Sequence, residues 1–121
     1  DQCRGRARQR SMSAAEHLRQ KASLLRTTRR VVVKIGGSAI SGNTGIDRER
    51  MQRLVEQVAD LHDRGLELIV VTSGAVAAGV ARLGHKERPK SIPQRQAAAA
   101  IGQIDLMAAY EEFFDRRGKR V

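Results

Sequence analysis

Val31-Val32-Val33-Lys34-Ile35-Gly36-Gly37-Ser38 is the stretch that decides the fold. Three β-branched residues run into a lysine, and after Ile35 two glycines follow. Such a run suits a buried strand of a parallel sheet, and the glycines let backbone amides approach an anion with no Cβ in the way. A lysine at the strand's end adds a mobile positive charge beside those amides. The combination reads as a place for phosphate. Taken alone, it also fits an ordinary strand-to-loop turn with an exposed lysine.

A second element of the same kind follows at Leu66-Glu67-Leu68-Ile69-Val70-Val71-Thr72-Ser73-Gly74-Ala75-Val76-Ala77-Ala78-Gly79. Between the two, Asp47 has the makings of an N-cap, and Ile46 and Met51 stand at staple spacing. Met51, Leu54, Val55, Val58 and Leu61 recur at helical period before Gly65 closes the pattern. Strand, helix, strand is the expectation, as a right-handed βαβ unit. Ligands of an open parallel sheet gather outside the carboxyl ends of its strands, so neighbouring strand ends of this kind would share one crevice. Ser73-Gly74 also has the composition of a simple helix N-cap.

The best-known phosphate loops are absent: Lys34 precedes the glycines rather than following them, and no G-x-G-x-x-G occurs. A serine hydrolase is disfavoured too, since no histidine lies within several residues of Ser73. Downstream, helices are expected over Val76 to Leu83 and from Ile92 to Arg117. The second opens with the S-x-x-Q spacing of Ser91 to Gln94, carries Pro93 in its first turn and stops at Gly118. Ile101, Ile104, Met107, Ala108 and Phe114 mark its apolar stripe, read as core packing, with a subunit interface as the lesser reading. Gly102, inside the helix, costs about 1 kcal/mol relative to alanine and therefore predicts a packing or ligand reason.

Val32-Val33-Lys34-Ile35-Gly36-Gly37-Ser38, then Val70-Val71-Thr72-Ser73-Gly74-Ala75-Val76-Ala77-Ala78-Gly79, then Gln96-Ala97-Ala98-Ala99-Ala100-Ile101-Gly102-Gln103 together resemble the amino-terminal part of the amino acid kinase family. The later two pieces resemble the branch acting on L-glutamate. One departure is that this branch often has Gly-Thr-Ser where the chain has Gly36-Gly37-Ser38, a form more usual in the branch acting on N-acetylglutamate.

The resemblance implies a three-layer αβα sandwich with a mainly parallel sheet, of α/β class. It implies ATP with Mg²⁺, and transfer of a phosphoryl group to the side-chain carboxylate of L-glutamate, the first step toward proline. Lys34 matches the catalytic lysine that contacts the transferring phosphoryl group, and Gly36, Gly37 and Ser38 match the loop along the nucleotide phosphates. Ser73, with Gly74 and Ala75, matches the amino acid binding turn. A homo-oligomer and a cytoplasmic location are further expectations of the likeness. The family's kinase domain is roughly twice the stretch matched here, and Lys119-Arg120-Val121 reads as the start of another strand. The 121 residues alone are therefore expected to be inactive and poorly stable.

A net charge of +10 and a pI near 11.2 would ordinarily point to nucleic acid. The distribution argues otherwise. Residues 1–30 hold nine basic and two acidic residues, whereas residues 31–121 hold fourteen and eleven. Tyr110, Phe113 and Phe114, the only aromatic residues, crowd one helix and offer no evident stacking platform. A kinase that binds no nucleic acid is expected; a basic nucleic-acid module is the alternative from another class.

Residues 1–30 read as a disordered basic tail, apart from a weak helical pattern over 14–26. Residues 1–11 read as upstream translated sequence or the ragged edge of a fragment, with Met12 as a candidate natural start. The Arg-rich composition also fits a mitochondrial transit peptide, against which its shortness and Glu16 count. No apolar run reaches membrane-span length, so no membrane partner is expected. Cys3 alone makes no disulfide framework. His17, His62 and His85 are scattered, and no protein metal site is expected.

Overall fold

A computed structural model describes residues 13–43 and 45–121 of the protein. A first helix, α1 (Ala14–Thr27), precedes strand β1 (Arg30–Ile35), which is the valine run. One turn of helix, α2 (Gly37–Ile40), and two paired two-residue strands, β2 (Ser41–Gly42) and β3 (Gly45–Ile46), lead into α3 (Arg48–Asp63). Strand β4 (Glu67–Thr72), α4 (Ala75–Arg82) and α5 (Ile92–Asp115) follow.

β1 and β4 pair in parallel, Arg30 with Glu67 through Ile35 with Thr72. The helix between them begins and ends on the signals legible in the sequence. Asp47 Oδ1 accepts from the Arg50 N–H at 3.0 Å. At the other end the Gly65 N–H donates to His62 O at 2.9 Å and the Leu66 N–H to Leu61 O at 3.3 Å, the paired closing bonds of a Schellman turn. Met51, Val55, Val58 and Ala59 of α3 are buried. Met51, Val55 and Val58 meet Leu106, Ala109, Tyr110, Phe113 and Phe114 of α5, and Ile35, Val33, Leu68 and Val70 of the sheet, in one core.

This helical layer covers one face of the sheet. The other face keeps Val32, Ile69 and Val71 exposed, at 61, 49 and 47 %. A strand buried on both sides was the expectation for the valine run; the observed burial alternates because the described residues place helices on one side only.

α4 and α5 cross with almost no separation. A Cβ at Gly79 would stand 2.6 Å from the Ala98 carbonyl carbon, and one at Gly102 would stand 2.9 Å from Gly79 Cα, each with still closer backbone neighbours. The mid-helix glycine thus has its packing reason. The crossing also corrects the expected stripe of α5: Ile104, Met107 and Ala108 are exposed, and the buried line runs through Ala98, Gly102, Leu106, Ala109, Tyr110 and Phe113. Docking α5 through its smallest residues turns Ile104 and Met107 out of the core.

Within the basic tail, residues 14–27 form α1, where the weak helical pattern over 14–26 stands. Ser13 and Glu16 cap it reciprocally, the Glu16 N–H donating to Ser13 Oγ at 3.2 Å and the Ser13 N–H to Glu16 Oε2 at 2.7 Å. Leu18 and Leu24 of this helix are exposed. Residues 1–12, including Cys3, the arginine run and Met12, lie outside the described residues. Lys119-Arg120-Val121, expected as a strand, carry no regular structure. No helix among the described residues is long and apolar enough to cross a membrane.

Candidate functional site

The two strand ends meet. The Ser73 N–H donates to Ile35 O at 3.0 Å, extending the parallel ladder one residue past β4, and the Ser73 hydroxyl reaches the same carbonyl at 3.4 Å. A Cβ on Gly37 would touch Gly74 N and Ser73 Oγ at 3.5 Å, so the chain after β1 and the turn after β4 are in van der Waals reach. Together they wall a cleft of about 600 Å³ lined by Gly37, Ser38, Ser41, Thr72, Ser73, Gly74, Ala75, Val76, Ala77, Arg88, Gln103 and Leu106.

Gly74 makes the turn. Its φ of +120° lies in the left-handed region open to glycine, and it forms the N-cap of α4 with no side-chain bond to the first turn. The N-cap role proposed for Ser73 therefore falls to Gly74, and the serine hydroxyl bonds β1 instead. Because the first intrahelical bond runs from the Ala78 N–H to Gly74 O, the N–H groups of Ala75, Val76 and Ala77 have no partner within α4. These three residues line the cleft, where their amides and the helix's positive end favour negative charge.

Five of the residues singled out in sequence therefore share one cleft: Gly37, Ser38, Ser73, Gly74 and Ala75. Lys34 and Gly36 are not among the lining residues. Lys34 is exposed, opposite Val71 in the register and one residue before the carbonyl that receives Ser73. Among the described residues it has no ion-pair partner, whereas Arg48 pairs with Glu112, Arg82 with Asp105 and Arg117 with Asp60. Carboxylates of α3 and α5 thus engage several of the domain's arginines. Tyr110, Phe113 and Phe114 are all in the core, unavailable for stacking on bases.

Four contributors escaped the sequence. Arg88, from the loop between α4 and α5, is the only charged residue of the described cleft lining, and nothing around it in sequence separates it from Arg82 or Arg95. Gln103 entered only as part of a family stretch. Thr72 and Tyr110 are linked, Tyr110 Oη lying 2.8 Å from Thr72 Oγ1, across a separation no local pattern reveals. Burial pushes the Tyr110 hydroxyl's pKa up, and the Thr72 bond partly offsets that.

A parallel sheet whose strand ends open on one amide-rich, glycine-walled cleft defines the class: an α/β protein with a ligand crevice at the carboxyl ends of its strands. The sequence pattern of the amino acid kinase family matches residues 29–121, and the chain belongs to that family. Among similar proteins, the glutamate 5-kinase of Teredinibacter turnerae is 48 % identical over 102 residues, covering 84 % of this chain and 27 % of that protein. The glutamate 5-kinase of Geobacter metallireducens is 49 % identical over the same length and shares. That of Thermus thermophilus is 50 % identical over 88 residues, 73 % of this chain and 24 % of that protein. The chain spans about a quarter of the length of these curated relatives.

Proposed function

We propose that the complete protein transfers the γ-phosphoryl group of ATP to the side-chain carboxylate of L-glutamate, giving glutamyl 5-phosphate for proline biosynthesis in the cytoplasm. Identities near one half to several proteins named glutamate 5-kinase support the reaction. The observation that carries the site is the Ser73 N–H to Ile35 O bond, which puts the two strand ends at one cleft.

In this reading Lys34 and the amides of Gly36, Gly37 and Ser38 hold the nucleotide phosphates. Gly36 favours this: with φ at −72° and nothing within 4 Å of an added Cβ, the packing of the described residues makes no demand for glycine there. Ser73, Gly74 and Ala75 hold the amino acid. A carboxylate oxygen of the acceptor attacks the γ-phosphorus as the bond to the β,γ-bridging oxygen breaks, and ADP leaves with the electron pair. Lys34, as a compact point charge, balances the negative charge spread over the equatorial oxygens.

A carboxylate acceptor suits the cleft because it is ionised at neutral pH and gives up no proton on attack. The described lining accordingly offers hydroxyls, amides and the Arg88 guanidinium, with no His, Asp or Glu. Magnesium would arrive with the nucleotide. Among the described residues no group of three or more His, Cys, Asp or Glu could hold a metal ion.

The uncovered sheet face bearing Val32, Ile69 and Val71 is proposed to take a second helical layer in the complete protein, completing a three-layer αβα sandwich. Burying the exposed half of three such side chains is worth about 1 kcal/mol each, which favours covering them. Incubating the complete protein with ATP, magnesium and either L-glutamate or N-acetylglutamate, with hydroxylamine to trap acyl phosphate, tests the function. Hydroxamate is expected from glutamate; equal or greater yield from N-acetylglutamate would move the protein to the other branch.

A further inference from the structure

Tyr110 is the only tyrosine of the chain, and α5 places two phenylalanines, Phe113 and Phe114, within one turn of it. All three are buried, Tyr110 at 3 % exposure, and its ring stacks on Phe114 with centroids 6.3 Å apart. A phenylalanine would fill the same space without a hydroxyl to satisfy, and a buried hydroxyl costs free energy unless it is bonded. Position 110 is where the helix meets the end of β4, so the hydroxyl has a task there.

The bonds around it form a chain. Thr72 Oγ1 reaches Ser73 O at 3.2 Å, and the Tyr110 and Thr72 hydroxyls lie 2.8 Å apart in a bond that either can donate. Ser73 is then held on both sides, its N–H by Ile35 O and its C=O by Thr72. Since the Ser73–Gly74 peptide is planar and trans, fixing its C=O on one side turns the Gly74 N–H to the opposite side.

We propose that Tyr110 is a positioning residue for the acceptor turn. Through Thr72 it sets the plane of the Ser73–Gly74 peptide, and with it the donors offered to the amino acid's carboxylate. The role rests on the reading of this turn as the acceptor site.

In the complete protein, Tyr110→Phe is expected to raise KM for glutamate about 3- to 10-fold, the size of one neutral hydrogen bond, with kcat and KM for ATP within about twofold of wild type. Thr72→Val should show the same selective rise, and Thr72→Ser should recover most of it. The double variant Tyr110→Phe/Thr72→Val should be no worse than Thr72→Val alone, because both break one chain. If Tyr110→Phe does not fold, the Thr72→Val and Thr72→Ser pair reads the same link. An unchanged KM for glutamate, or a parallel rise in both KM values, overturns the proposal. A wild-type protein that forms no acyl phosphate from glutamate overturns the functional reading instead, and this role with it.

Discussion

Gly79 with Gly102, and Gly36 with Gly37, are two pairs of glycines that serve opposite ends. At the α4–α5 crossing the protein itself fills the space: added Cβ atoms would sit inside the backbone of the neighbouring helix. At the end of β1 the space is empty or in ordinary contact, and Gly36 has a backbone any residue can adopt. The first pair is explained by the fold. The packing of the described residues makes no demand for the second, which on the proposed reading serves the nucleotide phosphates, a distinction sequence alone does not draw, since both sit in stretches that resemble the family.

The sharpest way to break this contrast is Gly79→Ala. With backbone on the receiving side, a loss of about 3 kcal/mol or more is expected, read as a lower midpoint of urea unfolding of the complete protein; a loss under about 1 kcal/mol would mean the helices can separate freely. Lys34→Ala comes next and acts at the other junction. Turnover should fall by about 100-fold or more while the unfolding midpoint stays put, since the side chain is exposed and, among the described residues, unpaired. Wild-type turnover in that variant would remove Lys34 from the chemistry.

Gly36→Ala should behave as the mirror image of Gly79→Ala. Stability is expected to stay within about 0.5 kcal/mol, as for an ordinary surface change, while KM for ATP rises. A destabilised protein with normal KM would make Gly36 structural after all. The smallest effect concerns Tyr110. Its folded-state pKa is raised by burial, so its contribution to stability is fully present below the ordinary tyrosine value near 10 and is lost as pH rises through the folded value. The difference between the ultraviolet titrations of the folded complete protein and its Tyr110→Phe variant should show one tyrosinate transition, above about pH 10. A transition at or below that value would contradict the buried, bonded hydroxyl.

Periodicity and end signals carried much of this structure. Met51, Val55 and Val58 at helical spacing, Asp47 before them and Gly65 after them were enough to place α3 between two parallel strands. The convergence of Gly37 with Ser73 followed from the general behaviour of strand ends in parallel sheets. What stayed hidden depends on contacts between distant residues. The stripe of α5 was misread because hydrophobicity favours Ile104 and Met107, whereas the crossing at Gly79 and Gly102 decides which side of the helix faces in. Arg88 reaches the cleft from a loop with no periodic pattern, and the Tyr110–Thr72 bond joins residues whose local sequence favours no such pairing. The half-covered sheet was likewise unreadable: a valine run states that it can be buried on both faces, not which residues do the covering.

The central claim is a division of labour, nucleotide phosphates at the end of β1 and the amino acid at the end of β4. Steady-state kinetics of Ser73→Ala in the complete protein, with glutamate and ATP varied in turn, tests it most directly. A raised KM for glutamate with an unchanged KM for ATP is the predicted result; a raised KM for ATP with glutamate binding intact would contradict it.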